Sequence, residues 1–457
     1  MKLPRYPRYK DSGVKWLGKV PEHWEVSVLK RMARTELSNV DKKTADDETS
    51  AQLCNYVDVY RNEKITQNLD FMVASASNEQ IARLSLQSGD VIITKDSESP
   101  DDIGVPAFVP EKLEEVVCGY HLALIRPISR EADGLYVARA FKSAFLRAQF
   151  TTSAVGMTRF GLGKYEIENV IMPKPPVEEQ REIAAFLEHQ LGIIDALVMQ
   201  QKRLIELLKE KRQAVISLAV TKGLNPNVPM KDSGIKWLGQ VPAHWNIVPL
   251  SYRYSIQLGK MLDSSRITGN HLRPYLRVLD VQWDEINIDD LPKMDFDEAA
   301  RKRFALKPGD LLVNEGGSYP GRCALWMKED FECYYQKALH RLRPFRPDRD
   351  ISRFAFYLIQ WATNQGVFIA GGNETTIEHL PADKLRKYSF AFPSKDEQHS
   401  IAAFLDDHLI TFNKQLKTSE QSIELLLERR SALISAAVTG QIDVRDYRPQ
   451  EAPAVCQ

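Results

Sequence analysis

Few stretches of this chain space their residues in a way that could do covalent chemistry. The most suggestive is GGSYPGRCA from Gly316, glycine-rich like a phosphate-cradling loop. It lacks the lysine of a GxxxxGK[ST] phosphate loop, which argues against nucleotide binding there. An amino-methyltransferase needs an Asn/Asp-Pro-Pro-aromatic stretch beside its target base, and none is present. Lys174-Pro175-Pro176-Val177 is not one. His23 and His244 each sit in a Pro-x-His-Trp element with no acid partner or nucleophile at a telling spacing. Both are read as structural. The five cysteines (Cys54, Cys118, Cys323, Cys333, Cys456) are odd in number and lack CxxC spacing. That reads as reduced thiols in a cytoplasmic protein, with no zinc site. The residue types describe a scaffold that positions something.

Two long helices must do the positioning. The stretch VEEQREIAAFLEHQLGIIDALVMQQKRLIELLKEKRQAVISLAVTK, from Val177 to Lys222, contains no proline and only Gly192 as glycine. Leu187, Ile194, Leu208 and Val215 recur every seven residues, with Gln201 in the remaining slot. Leu197, Leu204 and Leu218 follow three of these at a spacing of three, which completes a coiled-coil seam in this reading. About 45 residues make a rod of roughly 65 Å. The same pattern returns about 218 residues later: DEQHSIAAFLDDH from Asp396 repeats EEQREIAAFLEHQ from Glu178. The second seam reads Leu405, Phe412, Ser419, Leu426, Leu433. Two such helices most simply pack on each other, antiparallel. Gln201 and Ser419 lie near the two midpoints and would then form one polar layer that fixes the register.

The chain as a whole is a tandem duplication. YKDSGVKWLGKVPEHW from Tyr9 matches MKDSGIKWLGQVPAHW from Met230. Between each opening and its helix lies a diverged segment. LQSGDVIITKD from Leu86 aligns with LKPGDLLVNEG from Leu306, and ALIRP from Ala123 with HRLRP from His340; all read as strands. YVARAFKSAFLRAQF from Tyr136 and RFAFYLIQWATNQ from Arg353 read as amphipathic helices. Each segment closes in a Gly/Thr-rich loop, SAVGMTRFGLGKY from Ser153 and IAGGNETTIEHL from Ile369. Ser394-Lys395-Asp396-Glu397 reads as a capping box, and Gly223 and Gly440 as C-caps. The expected fold class is α+β. Two α+β domains (1–176 and 224–393) are joined by two long antiparallel helices (177–223 and 394–440), with a tail at 441–457 and a pseudo-two-fold axis. The C-terminal GQIDVRDYRPQ would lead naturally into the N-terminal RYPRYKDSG, so the ends should lie close.

Bulk properties exclude little. The 457 residues are 43% hydrophobic and 27% charged, with zero net charge. Charge alone therefore announces no nucleic-acid binder. The polar, basic start reads as no signal peptide, and no apolar run approaches membrane-spanning length.

The repeated helices, led by EEQREIAAFL and DEQHSIAAFL, and the GVKWLGKVPEHW and GIKWLGQVPAHW openings resemble specificity subunits of type I restriction-modification systems. The resemblance covers nearly the whole chain. It implies that the diverged segments are target recognition domains, each reading one half of a bipartite site in double-stranded DNA, with the helices as spacer. It also implies two modification subunits, which bind S-adenosylmethionine and methylate adenine at N6. Restriction subunits would use ATP and Mg. This chain would bind no cofactor, would not itself be catalytic, and would work in the cytoplasm. A standalone DNA-binding or architectural protein is the rival reading.

Contact residues in that setting follow from side-chain chemistry. Phosphate contacts want Arg, Lys, Thr and loop amides. Lys95, Thr158, Arg159 and Lys164 suit the first domain, and Arg322, Lys337, Thr375 and Thr376 the second. Base edges want donors and acceptors able to reach a groove. Asp96, Ser97, Asn314, Glu315, Tyr319 and Gln336 qualify. The basic run RLRPFRPDR from Arg341 reads equally well as a contact or as solvated surface.

Overall fold

A computed structural model of the chain describes residues 4–261, 268–317, 319–368 and 379–448. It divides into two compact units: Met1–Lys202 with Gln421–Gln457, and Arg203–Glu420. The division runs through both long helices, Val177–Lys222 and Lys395–Val438, rather than at their ends. The reason lies in the seam, because each half-helix contributes its apolar residues to the core of the domain it lies on.

In the first unit Leu187, Leu191, Ile194 and Val198 share a core with Ile434, Ala437 and Val438. In the second, Leu208, Ile216, Ala219 and Val220 share one with Ile401, Leu405, Leu409 and Phe412. The first half of each helix thus packs with the second half of the other, which is the antiparallel coiled-coil arrangement. Ser419 is buried within its unit, and Gln201 is half-buried within its own. One part of the expected seam is corrected. Leu197, Leu204 and Leu218 are 41%, 42% and 53% exposed. A heptad seam alternates steps of three and four, and here the step after Leu187 and Ile194 is four, to Leu191 and Val198. The three leucines lie one residue, about 100°, off the buried stripe.

The repeated EQ pair at the start of each helix is a clamp. Gln180 accepts from the Asp133 amide at 2.9 Å and donates to the Glu131 and Pro175 carbonyls. Gln398 accepts from the Ile351 amide at 3.1 Å and donates to the Arg349 and Pro393 carbonyls. The neighbouring acids hold the openings. Glu179 accepts from the Tyr6 hydroxyl at 2.6 Å and from Trp24 Nε1 at 3.0 Å, and lies 2.7 Å from His23 Nε2. Glu397 does the same for Trp245 and His244 at 3.1 and 2.9 Å. Both histidines therefore have an acid partner, one too distant in sequence for any spacing to show, and the contact holds the opening against the helix. Glu397 being committed there, only half the expected capping box forms, through the Glu397 amide to Ser394 Oγ at 3.3 Å. Glu179→Ala would leave the Tyr6 and Trp24 donors buried without their acceptor, at a cost of about 2–4 kcal/mol. Urea unfolding should show this loss; a change below ~0.5 kcal/mol would mean that the clamp does not hold the opening.

The helices end at Gly223 and Gly440, both at φ 72°. That left-handed turn favours glycine. A Cβ on Gly440 would also collide with Pro21 and Trp24. Within the first unit the first and last described segments come together, where the Asp443 amide donates to the Pro4 carbonyl at 2.9 Å.

The two α+β domains are built alike. The first has an antiparallel sheet in the order Ala33–Leu37, Leu122–Pro127, Val91–Thr94, Pro106–Phe108. The second has Tyr254–Leu258, Leu339–Pro344, Asp310–Asn314, Cys323–Trp326. Each carries a three-stranded sheet as well, centred on Thr49–Cys54 and on Leu272–Leu276. The stretch from Tyr136 expected as one helix is two, Gly134–Phe141 and Ala144–Ser153. The break falls at Ser143, whose hydroxyl accepts from the Leu146 amide and so caps the second.

Candidate nucleic-acid interface

One strand pair organises the candidate residues in each unit. At its far end an Asp–Arg fork ties the strands together: Arg126 Nε and Nη2 donate to Asp90 at 2.8 Å each, and Arg343 to Asp310 at 2.6 Å each. At the other end the backbone leaves the strand through two matching bonds. The Lys95 amide donates to the His121 carbonyl at 3.0 Å, and the Leu162 amide to the Lys95 carbonyl at 2.8 Å. In the second unit the Glu315 amide donates to the Ala338 carbonyl at 2.9 Å, and the Leu380 amide to the Glu315 carbonyl at 2.6 Å. Residues 95 and 315 are geometric equivalents.

Around this point the first unit gathers several of the expected residues. Asp96–Ser97 pairs antiparallel with Phe160–Gly161, which carries the loop with Thr158 and Arg159 alongside. Asp96 Oδ2 lies 2.7 Å from His121 Nδ1, and Arg159 Nη2 lies 3.2 Å from the same nitrogen. Lys95 Nζ donates to the Ser38 carbonyl at 3.3 Å and sits 4.7 Å over the Tyr120 ring, a cation–π contact. Thr158 and Arg159 are exposed. Lys164 lies apart, its charge set against Glu36 and Glu168 at 4.0 and 3.8 Å. Ser97 is corrected: it is buried, and its hydroxyl accepts from the Ser99 amide at 3.2 Å to make a local turn. Tyr120 and His121 were missed, although they precede the ALIRP strand as Lys337 and Ala338 precede the HRLRP strand.

In the second unit Glu315 is half-buried, and its pKa is raised by burial against the opposing charges of His379 and Lys337. Lys337 is exposed. Gln336 is half-buried, its amide bonded to the Leu276 carbonyl at 3.1 Å. The Arg322 guanidinium lies 4.3 Å over the exposed Tyr319 ring, and Nη1 donates to Gln282 Oε1 at 2.6 Å. Asn314 is corrected: it is buried, with Nδ2 reaching the Val278 carbonyl at 3.4 Å. The strand's last residue, it turns inward. Thr375 and Thr376 lie outside the described residues. The basic run from Arg341 is buried at its start and exposed from Phe345 to Asp348, and its arginines are engaged within the fold. Arg341 is buried against the Arg303 carbonyl, while Arg343, Arg346 and Arg349 pair with Asp310, Asp348 and Asp350.

Among the described residues no group of three His, Cys, Asp or Glu side chains could hold a metal ion. No described helix is long and apolar enough to cross a membrane.

The same strand frame is thus used twice and offers a different set of donors and acceptors each time. The family model of the type I restriction modification DNA specificity domain matches residues 21–207 and 281–425, and the chain belongs to that family. Its part there is DNA sequence recognition, through two recognition domains. It is similar to the type I restriction enzyme MjaVIII specificity subunit of Methanocaldococcus jannaschii, 22% identical over 96% of this chain and 98% of that protein. It also resembles the MjaX specificity subunit of the same organism, 26% identical over 56% of this chain; there it spans 60% of the relative's length. A solved structure described as bearing on complex assembly and conformational transition of the type I R-M system superposes with a TM-score of 0.68. It is 17% identical and covers 92% of this chain and 98% of that one, which shows the fold.

Proposed function

We propose that this chain is the specificity subunit of a type I restriction-modification complex that modifies adenine at N6. Each recognition domain reads one half of an asymmetric bipartite site in double-stranded DNA. The coiled coil sets the spacing and docks two modification subunits, with restriction subunits in the full complex. Lys95, Tyr120 and Arg159 in one domain, and Glu315, Arg322 and Lys337 in the other, make the DNA-facing surfaces; Thr375 and Thr376 belong to the second. S-adenosylmethionine, ATP and Mg bind the partners, in the cytoplasm. The observation that carries the reading is the shared backbone frame with unlike side chains at residues 95 and 315. Unlike side chains at one point of a frame suit unlike half-sites, and a gap between half-sites needs no base contact.

Methylome sequencing of a strain with and without the gene tests it directly. One bipartite adenine-methylated motif should vanish with the gene. The purified chain, given S-adenosylmethionine, ATP, Mg and DNA, should neither methylate nor cleave. Methyl transfer by the chain alone, abolished by a point mutation in it, would refute the assignment. A standalone binder would instead select its site tightly without partners and leave the methylome unchanged.

A further inference from the structure

We propose that residues 95 and 315 are equivalent specificity-determining positions. Lys95 selects a base that offers acceptors on its major-groove edge, guanine foremost. Glu315 selects a base that offers an amino group there, cytosine foremost. This rests on the reading above, that each unit takes one DNA half-site.

The argument begins with the backbone. Both residues follow the equivalent strand, donate to the equivalent carbonyl of the returning strand, and accept from the loop that closes the domain. Two bonds on one residue fix its Cα and the direction of its Cβ, so the two side chains leave the frame from the same place. Their chemistry is opposite. Glu315 cannot lie against a phosphate without like-charge repulsion. If this edge of the frame meets DNA, position 315 must therefore look into a groove, and by equivalence position 95 must too. That moves Lys95 from the phosphate contacts, where its type alone would put it, to the base contacts.

The surroundings fit those roles. The Lys95 ammonium is drawn toward the Ser38 carbonyl and the Tyr120 ring, which orders a side chain that would otherwise sample many rotamers. Its three N–H groups suit acceptors only. The Glu315 carboxylate is half-buried, and no hydrogen bond or ion pair holds it among the described residues; Lys337 and His379 act on it only through their charge. A partly desolvated carboxylate gains most from a ligand that donates to it, as an exocyclic amino group does.

The test assembles the complete complex with wild-type chain, Lys95→Gln, Lys95→Glu, Glu315→Gln or Glu315→Lys. Each is challenged with a duplex oligonucleotide library randomised in both half-sites, and the bound and methylated sequences are read. The Glu315 variants should change preference at one base pair of the second half-site by about 5- to 150-fold and leave the first half-site intact. The Lys95 variants should do the converse. An unchanged motif overturns the proposal, and so does a uniform loss of affinity across all sequences, the mark of a phosphate contact. Should a charge-reversed chain fail to assemble, the glutamine variants, which keep size and polarity, decide alone. A wild-type complex that selects no bipartite motif would sink the underlying reading instead.

Discussion

Expressed by itself, a fragment of residues 1–225 should form a two-fold dimer, and with modification subunits it should methylate a palindromic site. The reason lies in what the first unit receives from the distal helix. Ile434, Ala437 and Val438 complete its core, Ser435 Oγ accepts from the Ala144 amide at 3.3 Å, and Arg430 donates to Asp195 at 3.1 Å and to Glu63. The central helix carries the same residue types in the same order: Ile216, Ala219, Val220, Ser217 and Arg212. A second copy of the fragment can supply them all. Without one, Leu187, Leu191 and Ile194 would be left in water, at about 1.5–3 kcal/mol for each side chain exposed. The tail contacts of Tyr447 with His189 and Gln190 would be lost, a smaller deficit. Mass in solution should be twice that of the fragment, and the methylated motif should be two inverted copies of the first half-site. A folded monomer, or methylation of the original asymmetric site, would show that the helix halves are not interchangeable.

Glu63→Ala should be among the most damaging single substitutions in the first unit. The Glu63 carboxylate accepts from Arg139 at 2.6 Å and from Lys142 and Arg430. Arg139 is nearly buried and also donates to Glu188 of the central helix at 2.8 Å. Glu63 thus ties its domain to the distal helix directly, through Arg430, and to the central helix by way of Arg139. Removing it leaves three cations sharing less counter-charge. The expected cost is about 2–4 kcal/mol, below the ~3–5 of a fully buried pair because Glu63 is partly exposed. The pH dependence has a definite sign. Burial alone would raise the Glu63 pKa, but Lys142 and Arg139 outweigh it and hold it well below the usual carboxylate range. A depressed pKa contributes stability that is present above the unfolded value of about 4.3 and is lost as pH falls below it toward the folded value. Denaturant unfolding should therefore separate wild type from variant at neutral pH and bring them together in strong acid. A gap that persists unchanged into acid would mean that packing, not charge, explains the loss.

Much of this architecture could be read directly. The duplication, the long helices, the glycine C-caps and the strands at Val91–Thr94 and Asp310–Asn314 follow from period and turn chemistry, which are local. The clamp could not be read, because His23 and Glu179 stand far apart in sequence and only the fold joins them. Side-chain type named Ser97 and Asn314 as readers, but type does not say which way a residue faces, and both turn inward. Leu197, Leu204 and Leu218 failed for a related reason: on a leucine-rich helix, steps of three and four both find leucines. Tyr120 and His121 were within reach, since the match of ALIRP to HRLRP points to them as directly as to Lys337.

The discontinuous make-up of the first unit has a consequence for the order in which the molecule is made. The unit Arg203–Glu420 is one uninterrupted stretch, whereas the other joins residues through Lys202 to those from Gln421 onward. Translation runs from the N-terminus, so the ribosome delivers all of the contiguous unit before Ile434 and Val438 exist to cover Leu187 and Ile194. The domain begun first is finished last. Throughout that interval the nascent chain presents a sticky leucine face to whatever is nearby, including a sister chain on the same message.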